Sequence, residues 1–500
     1  MKTESKTRFH WIPLAAALVT GLAMRLFFFF KFPSGSEDGD VYEMLGRNWF
    51  RHGTYAQDSA GALYPSDIRV PGYPGFTAFF HLFGRGERPL LLAQIGMDLC
   101  TCVLAGVLAG LLVPRSVSDQ ARRRVQLAAI WLAALCPFLA DYAAVNLTEV
   151  LATFLTASAL IAFVAAMIGH ESLSWRLLVN GSDDDSASRS GFSLLRNNWF
   201  VGGLAVGCGT MVRPETPLIL LTVAFFLVVR WMRPANWTKL IRAGIITAMG
   251  FVIPLAPWTI RNAISLREFQ PLAPRYAQSP GETVPDGYYA WTNTWLERYR
   301  DTDAAIWRMG EDEVNLTNYP PTAFDSVEER DRVLALLNEY DRGTYNFPPA
   351  WNAKFAELAR ERTARNPLRT YITVPFQRAL TIWFTPRTEM LPFSGDLFPF
   401  KGKWETDRED LLATILLGAC AIVYVAIAVG GGLRIFVGRW LSTPQTWAMA
   451  MLIGFCVLRT TFITRVEAPE PRYVLECFPI LYALGAFLWC RKTQRAEISS

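Results

Sequence analysis

Apolar and polar residues fall in long blocks along this chain instead of alternating. Ten apolar blocks stand out, at roughly 11–30, 89–113, 125–141, 147–168, 199–213, 215–232, 243–263, 410–432, 444–463 and 474–491. A helix needs about 20 residues to cross the hydrocarbon core of a bilayer, and most of the blocks reach that length. The block 199–213 holds about 15 residues, or roughly 22 Å of helix. Arg213 and Glu215, in the following "MVRPETP", are therefore expected below the membrane surface, where charges face a polar cavity. The segment "TVPFQRALTIWF", 373–384, is too short to span and suits the interface. "GSDDDSASRSG", 181–191, reads as a flexible cytoplasmic loop. No repeat of the transporter type is present.

Charge fixes an orientation. With the N-terminus inside, the inner segments carry Arg115 and Arg122–Arg124, then Arg176 and Arg196, then Arg230, Arg233, Lys239 and Arg242. Arg434 and Arg439 follow, then Arg491, Lys492 and Arg495, while the outer turn "ADYAAVN" has no basic residue. Both termini then lie inside. Residues 31–88, 264–409 and the turn "RVEAPEPRY" lie outside. The first apolar run follows Lys2, Lys6 and Arg8. It is too long for a signal peptide and lacks a cleavage site, so it reads as an uncleaved helix.

Composition agrees. Of 500 residues, 51% are hydrophobic and 13% aromatic, and the mean hydropathy is +0.19. These values exceed those of a soluble domain. The net charge of +5 is too small to indicate nucleic acid. All eight cysteines lie in or beside apolar runs, so no disulfide framework is expected. Four scattered histidines argue against a histidine-built zinc site.

Candidate chemistry gathers at the outer ends of the apolar blocks. "FPSGSEDGDVYEMLGRNWFRHGTY" puts Glu37, Asp38 and Asp40 just beyond the first block. Asp38, Tyr42, Leu45 and Gly46 share one helix face. Asp38 is either an N-capping acid, stabilising by about 1 kcal/mol, or a base held at the membrane boundary. In "SDIRVPGYPGF", Pro71, Gly72, Pro74 and Gly75 suit a tight turn, and Arg69 is placed to grip a phosphate. In "NLTEVLATFL", Glu149 opens an apolar block on the same side as Asp38. It either complements the helix dipole or supplies the second acid of a proton-transfer or metal-assisted site. Arg261 in "PWTIRN" and Arg472 in "PEPRYVLECFP" complete, with Arg69 and Arg213, four cations near one leaflet. Snorkelling explains each alone; as a set they point to an anionic ligand. Of Trp291, Trp295, Trp307 and Trp351 in the outer stretch, most are expected in a core, the alternative being carbohydrate platforms. The "NLT" matches at 146 and 315 carry no weight.

Taken in order, these motifs resemble the GT-C class of polyprenyl-phosphate-dependent glycosyltransferases. The likeness is greatest to the bacterial branch with the protein O-mannosyltransferases and lipid A aminoarabinose transferases. It covers 1–265 well and the last two helices moderately; 264–409 matches nothing in the class. The resemblance implies an all-α polytopic membrane protein with about ten transmembrane helices, an outer loop carrying an interfacial helix, and a mid-chain extracytoplasmic insertion. Its divisions would be a catalytic membrane module at 1–265 with outer loop 31–88, a soluble insertion at 266–409, and C-terminal spans at 410–500. The family's acid lies four residues before a Tyr, which Asp38 satisfies with Tyr42 and Asp40 does not. Asp38 is implied as the base, with Asp40 and Glu149 as further candidate catalytic acids. Arg69 is implied to contact the lipid-linked phosphate. Tyr42, Tyr73, Arg213, Glu215, Arg261, Arg472 and Tyr473 are candidate substrate contacts.

The expected function is inverting transfer of a hexosyl or pentosyl group from a polyprenyl-phosphate donor to a lipid, glycan or protein acceptor. It would take place on the periplasmic face of a bacterial inner membrane. No cofactor is implied with certainty, and a divalent cation stays open. The competing reading is a transporter or lipid flippase, which requires charge deep within several helices. The family's C-terminal soluble domain is not matched, and the large insertion sits mid-chain instead.

Overall fold

The computed structural model describes residues 11–59, 61–84, 86–114, 116–169, 194–276, 283–307, 309, 316–342, 347–438 and 443–490. The loop read at 181–191, the second "NLT" asparagine, and the basic residues Arg115, Arg176, Arg439, Arg491, Lys492 and Arg495 lie outside the described residues.

In chain order the helices are α1 (Trp11–Lys31), α2 (Glu37–His52), α3 (Gly72–Phe80), α4 (Arg88–Leu112), α5 (Asp119–Ala134), α6 (Pro137–Tyr142), α7 (Glu149–Met167), α8 (Asn198–Thr210) and α9 (Leu218–Trp231). They continue with α10 (Trp237–Ser265), α11 (Asp286–Thr292), α12 (Val327–Arg342), α13 (Pro349–Arg365), α14 (Val374–Phe384), α15 (Phe400–Thr406), α16 (Arg408–Val437), α17 (Thr443–Ile463) and α18 (Phe478–Gly485). A single antiparallel hairpin, β1 (Ala56–Ser59) with β2 (Ala62–Pro65), is present among the described residues.

The protein is a polytopic helical membrane protein. Among the described residues, seven helical stretches are long and apolar enough to cross a membrane: α1, α4, α7, Pro234–Ser265, α16, α17 and Pro471–Trp489. The other three apolar blocks form shorter helices, α5, α8 and α9. Each loses length for a local reason. The first half of α5 is charged, α8 ends before the polar "MVRPETP", and α9 starts only after its last proline.

The chain forms two compact units. The first combines Met1–Ala273, Pro386–Cys456 and Leu475–Ser500. Within it α8 packs on α7 and α10, and α4 packs on α5 and α7. The α8–α10 crossing is close because glycines line it: a Cβ on Gly203 would collide with the Thr247 carbonyl. That crossing aims the end of α8, and with it Arg213. Between α1 and α4, Arg25 and Asp98 form a fully buried ion pair at 2.6 Å. Charge therefore does occur deep among the spans, in addition to the outer helix ends picked out in sequence.

The second unit combines Pro274–Thr385 and Val457–Val474. Its core is aromatic, with Tyr288, Trp291, Trp295, Trp351 and Phe355 buried together, while Trp307 is 42% exposed. The buried Arg362 guanidinium binds Glu329 and donates to the Thr294 hydroxyl at 2.8 Å. The segment expected at an interface forms α14. Phe376 and Leu380 are exposed on it, and the buried Arg378 donates to the Leu296 carbonyl at 2.6 Å.

Candidate active site

The segment 31–88 is built around α2, whose ends are both capped. Ser36 is the N-cap, its hydroxyl accepting from the Gly39 amide at 3.0 Å. Gly53 closes the C-terminus at φ 67°, with its amide on the Trp49 carbonyl. The capping reading of Asp38 is thereby replaced, because Ser36 holds that position. Asp38 instead sits in the first turn and pairs with Arg69 at 2.8 Å. The pair is accessible, with Arg69 26% and Asp38 32% exposed. Asp40, two residues on, is exposed on another side of the helix.

Arg69 is held from behind. Its carbonyl accepts from the Tyr55 hydroxyl at 2.8 Å, and its guanidinium lies 6.0 Å from the centre of the Tyr42 ring. The expected tight turn after it is the first turn of α3, capped by Pro71. The Gly72 amide donates to the Met211 carbonyl at 2.5 Å, and a Cβ at Gly72 would overlap that carbonyl. This contact draws the Arg69 loop to the end of α8.

A second pair lies there. Arg213 binds Glu149 at 2.9 Å and the Thr148 hydroxyl at 3.0 Å. Glu476 and Glu215 stand 3.5 and 3.8 Å from the same guanidinium. The Thr156 hydroxyl donates to Glu476 at 2.8 Å. This cluster is dry: Arg213 is 8% exposed, and Glu149 and Glu476 1% each.

Tyr42 joins the two pairs. Its phenol is pushed up to about 12, first by burial and then by the Asp38 charge; Glu149 adds to the rise, while Arg69 and Arg213 oppose it. All four charged groups thus act on one hydroxyl. Tyr73 stands edge-on to Tyr42 at 5.1 Å but is itself fully buried. The Tyr73 hydroxyl reaches both Gln94 Oε1 (2.5 Å) and Asn146 Oδ1 (2.9 Å). The Asn146 amide donates to Glu87 at 2.7 Å, and the Gln94 amide donates to the Val145 carbonyl at 2.8 Å. Gly39 packs so closely on Asn146 that a Cβ would crowd the Asn146 carbonyl. These groups lock the turn before Glu149 to the turn of α2 that carries Asp38.

The remaining candidates bind other partners. Arg261 donates to the carbonyls of Ser66 (2.7 Å) and Tyr55 (2.5 Å) and stacks over Tyr55 and Trp258, so it pins the β1–β2 segment. Arg472 and Tyr473 belong to the second unit, where both bind Glu470. Among the described residues, no group of three or more His, Cys, Asp or Glu side chains is arranged to hold a metal ion. Asp38 and Glu149 each face an arginine, the partner that a bound cation would have to replace.

Comparison with protein-family models and with curated proteins finds no match. Among solved structures, the chain is similar to the Archaeoglobus fulgidus oligosaccharyltransferase in its apo form, at 12% identity and a TM-score of 0.47. The alignment covers 97% of this chain and 51% of that one. The Archaeoglobus fulgidus oligosaccharyltransferase AglB, in complex with an inhibitory peptide and a dolichol-phosphate, matches at 15% identity and 0.44, covering 95% and 50%. ArnT from Cupriavidus metallidurans, bound to undecaprenyl phosphate, matches at 14% and 0.38, covering 94% and 77%. The chain spans about half the length of the oligosaccharyltransferases it matches.

Sequence reading missed Gln94, Asn146, Thr148 and Glu476. Two of them carried a signal: Gln94 and Glu476 are polar residues within apolar stretches, where such groups need a partner. Asn146 was hidden inside a match to a glycosylation tripeptide.

Proposed function

We propose that this protein is a membrane glycosyltransferase that moves a sugar from a polyprenyl-phosphate carrier to an acceptor at the outer membrane surface. The observation that carries the reading is the accessible Asp38–Arg69 pair, set beside the spans on a rigidly capped helix. The motif resemblance to the GT-C class supports it. In the proposed reaction the acceptor O–H or N–H gives its proton to the Asp38 carboxylate. The acceptor atom then bonds to the anomeric carbon. The bond from that carbon to the phosphate oxygen breaks, and its electron pair leaves with the phosphate. Arg69 neutralises charge on the leaving group. A single displacement of this kind inverts the anomeric centre. Glu149 and Arg213 hold the floor of the site. Hexosyl or pentosyl donors, a lipid, glycan or protein acceptor, and the periplasmic face of a bacterial inner membrane belong to this proposal.

The buried Arg25–Asp98 pair favours the transporter reading as a second possibility. One assay separates the two. The protein in lipid is given short-chain polyprenyl-phosphate sugars with candidate acceptors, and release of polyprenyl phosphate is followed. Release that falls by roughly 10²–10⁴ in Asp38→Asn supports transfer. Movement of intact donor across the bilayer without release would sink it and favour transport.

A further inference from the structure

One face of α5 lines a groove in the first unit. Arg124, Leu127, Ala128, Trp131, Leu132 and Leu135 follow at helical spacing, and Trp489 forms the opposite wall. The cavity measures about 640 Å³. Both walls are fixed. Arg434 donates to the carbonyls of Leu488 and Cys490, at 2.7 Å each, on either side of Trp489. The Tyr424 hydroxyl donates to the Leu132 carbonyl at 2.8 Å. The backbone on both sides of the groove is therefore held in place.

Its length and polarity are those of one leaflet. From Arg124 to Leu135 the helix rises roughly 16 Å, about half the hydrocarbon thickness of a bilayer. All lining between these ends is aliphatic or aromatic. Arg124 is exposed at one end and makes no ion pair among the described residues. It closes the basic run Arg122–Arg124, which the charge pattern assigns to the inner face. An acyl chain fits the apolar wall, and a single negative headgroup at the interface matches the guanidinium.

We infer that this groove holds one anionic glycerophospholipid, its phosphate on Arg124 and an acyl chain along α5 toward Leu135. The site is separate from the Asp38–Arg69 centre and does not depend on the glycosyltransferase reading. A neutral-headgroup lipid fills the same wall but gains nothing from Arg124.

The test uses the full chain stripped of lipid in detergent and titrated with phosphatidylglycerol or phosphatidylcholine, with bound lipid counted by native mass spectrometry. The wild type should prefer phosphatidylglycerol by about fivefold, the gain expected from one basic residue at the surface. Arg124→Gln should abolish the preference and leave phosphatidylcholine binding unchanged. Ala128→Trp, which fills the groove without altering charge, should weaken both lipids. Equal binding of the two lipids by wild type would overturn the inference. So would a preference that survives Arg124→Gln, or lipid binding untouched by Ala128→Trp in a protein with an unchanged size-exclusion profile.

Discussion

Two arginine–carboxylate pairs belong to one compact unit but live in different media. Asp38–Arg69 is partly open to solvent; Glu149–Arg213 is almost completely buried, with Glu476 and Glu215 close by. Partial exposure screens the first pair and reduces what it contributes. That pair can open at little cost when a competing anion or a proton donor arrives. Breaking a buried pair costs about 3–5 kcal/mol, because the partner is left charged and dry. The same chemistry thus leaves one pair able to open and makes the other a fixture.

The comparison can be broken at its strongest point first. Asp38→Asn should lower turnover by roughly 10²–10⁴ while the thermal unfolding midpoint stays near that of wild type. A large drop in the midpoint would make Asp38 structural. Arg213→Met should do the opposite, destabilising by about 3–5 kcal/mol in thermal or denaturant unfolding, since it strands several carboxylates around one apolar side chain. An Arg213→Met protein as stable as wild type would show the cluster to be better solvated than its burial implies. Tyr73→Phe should sharpen the picture. It leaves Gln94 and Asn146 short of a donor, at about 1–3 kcal/mol, and is expected to lower kcat more than it alters KM. An effect confined to KM would place Tyr73 in substrate binding instead.

The smallest effect is expected in the second unit. Burial alone would raise the Asp325 carboxyl, but the Arg369 hydrogen bond and the charges of Arg362, Arg369 and Arg365 outweigh it and hold the group below its usual range. A depressed carboxyl contributes stability above its unfolded pKa and loses it as pH falls from there through the lower folded value. Hydrogen exchange over 286–365 should therefore separate wild type from Asp325→Asn at pH 7, and the difference should shrink at pH 3. A difference that grew on acidification would reverse the assignment.

What could be read from the sequence follows from what is local. Long apolar blocks define helices by themselves, so the seven long spans and the start of α7 at Glu149 were legible. The three short helices were harder, since hydropathy marks a block but not where a proline or a charged turn ends it. Asp38 was set apart from Asp40 only through the family resemblance, whose acid lies four residues before a Tyr. Its partner could not be read, because Arg69 lies 31 residues away and meets Asp38 only in the folded chain. Ser36 as the cap was visible but passed over in favour of the acids beside it. Arg213 was legible as a charge at the end of a short block, whereas Glu476, a lone acid in an apolar run, was passed over although that setting calls for a partner. The Tyr73–Gln94–Asn146 lock joins three segments by single hydrogen bonds, and no periodicity announces such a link.

The lock also bears on how the protein can be produced. Asn146-Leu147-Thr148 is a formal acceptor for N-linked glycans. In the folded chain its amide is buried and donates to Glu87, and Gly39 presses against the same residue. A glycan added to the nascent chain would occupy the space where the segment 31–88 must dock. Expression in a host that glycosylates this tripeptide should therefore yield chains that are modified and unassembled, and a host without that machinery is the appropriate source of active protein.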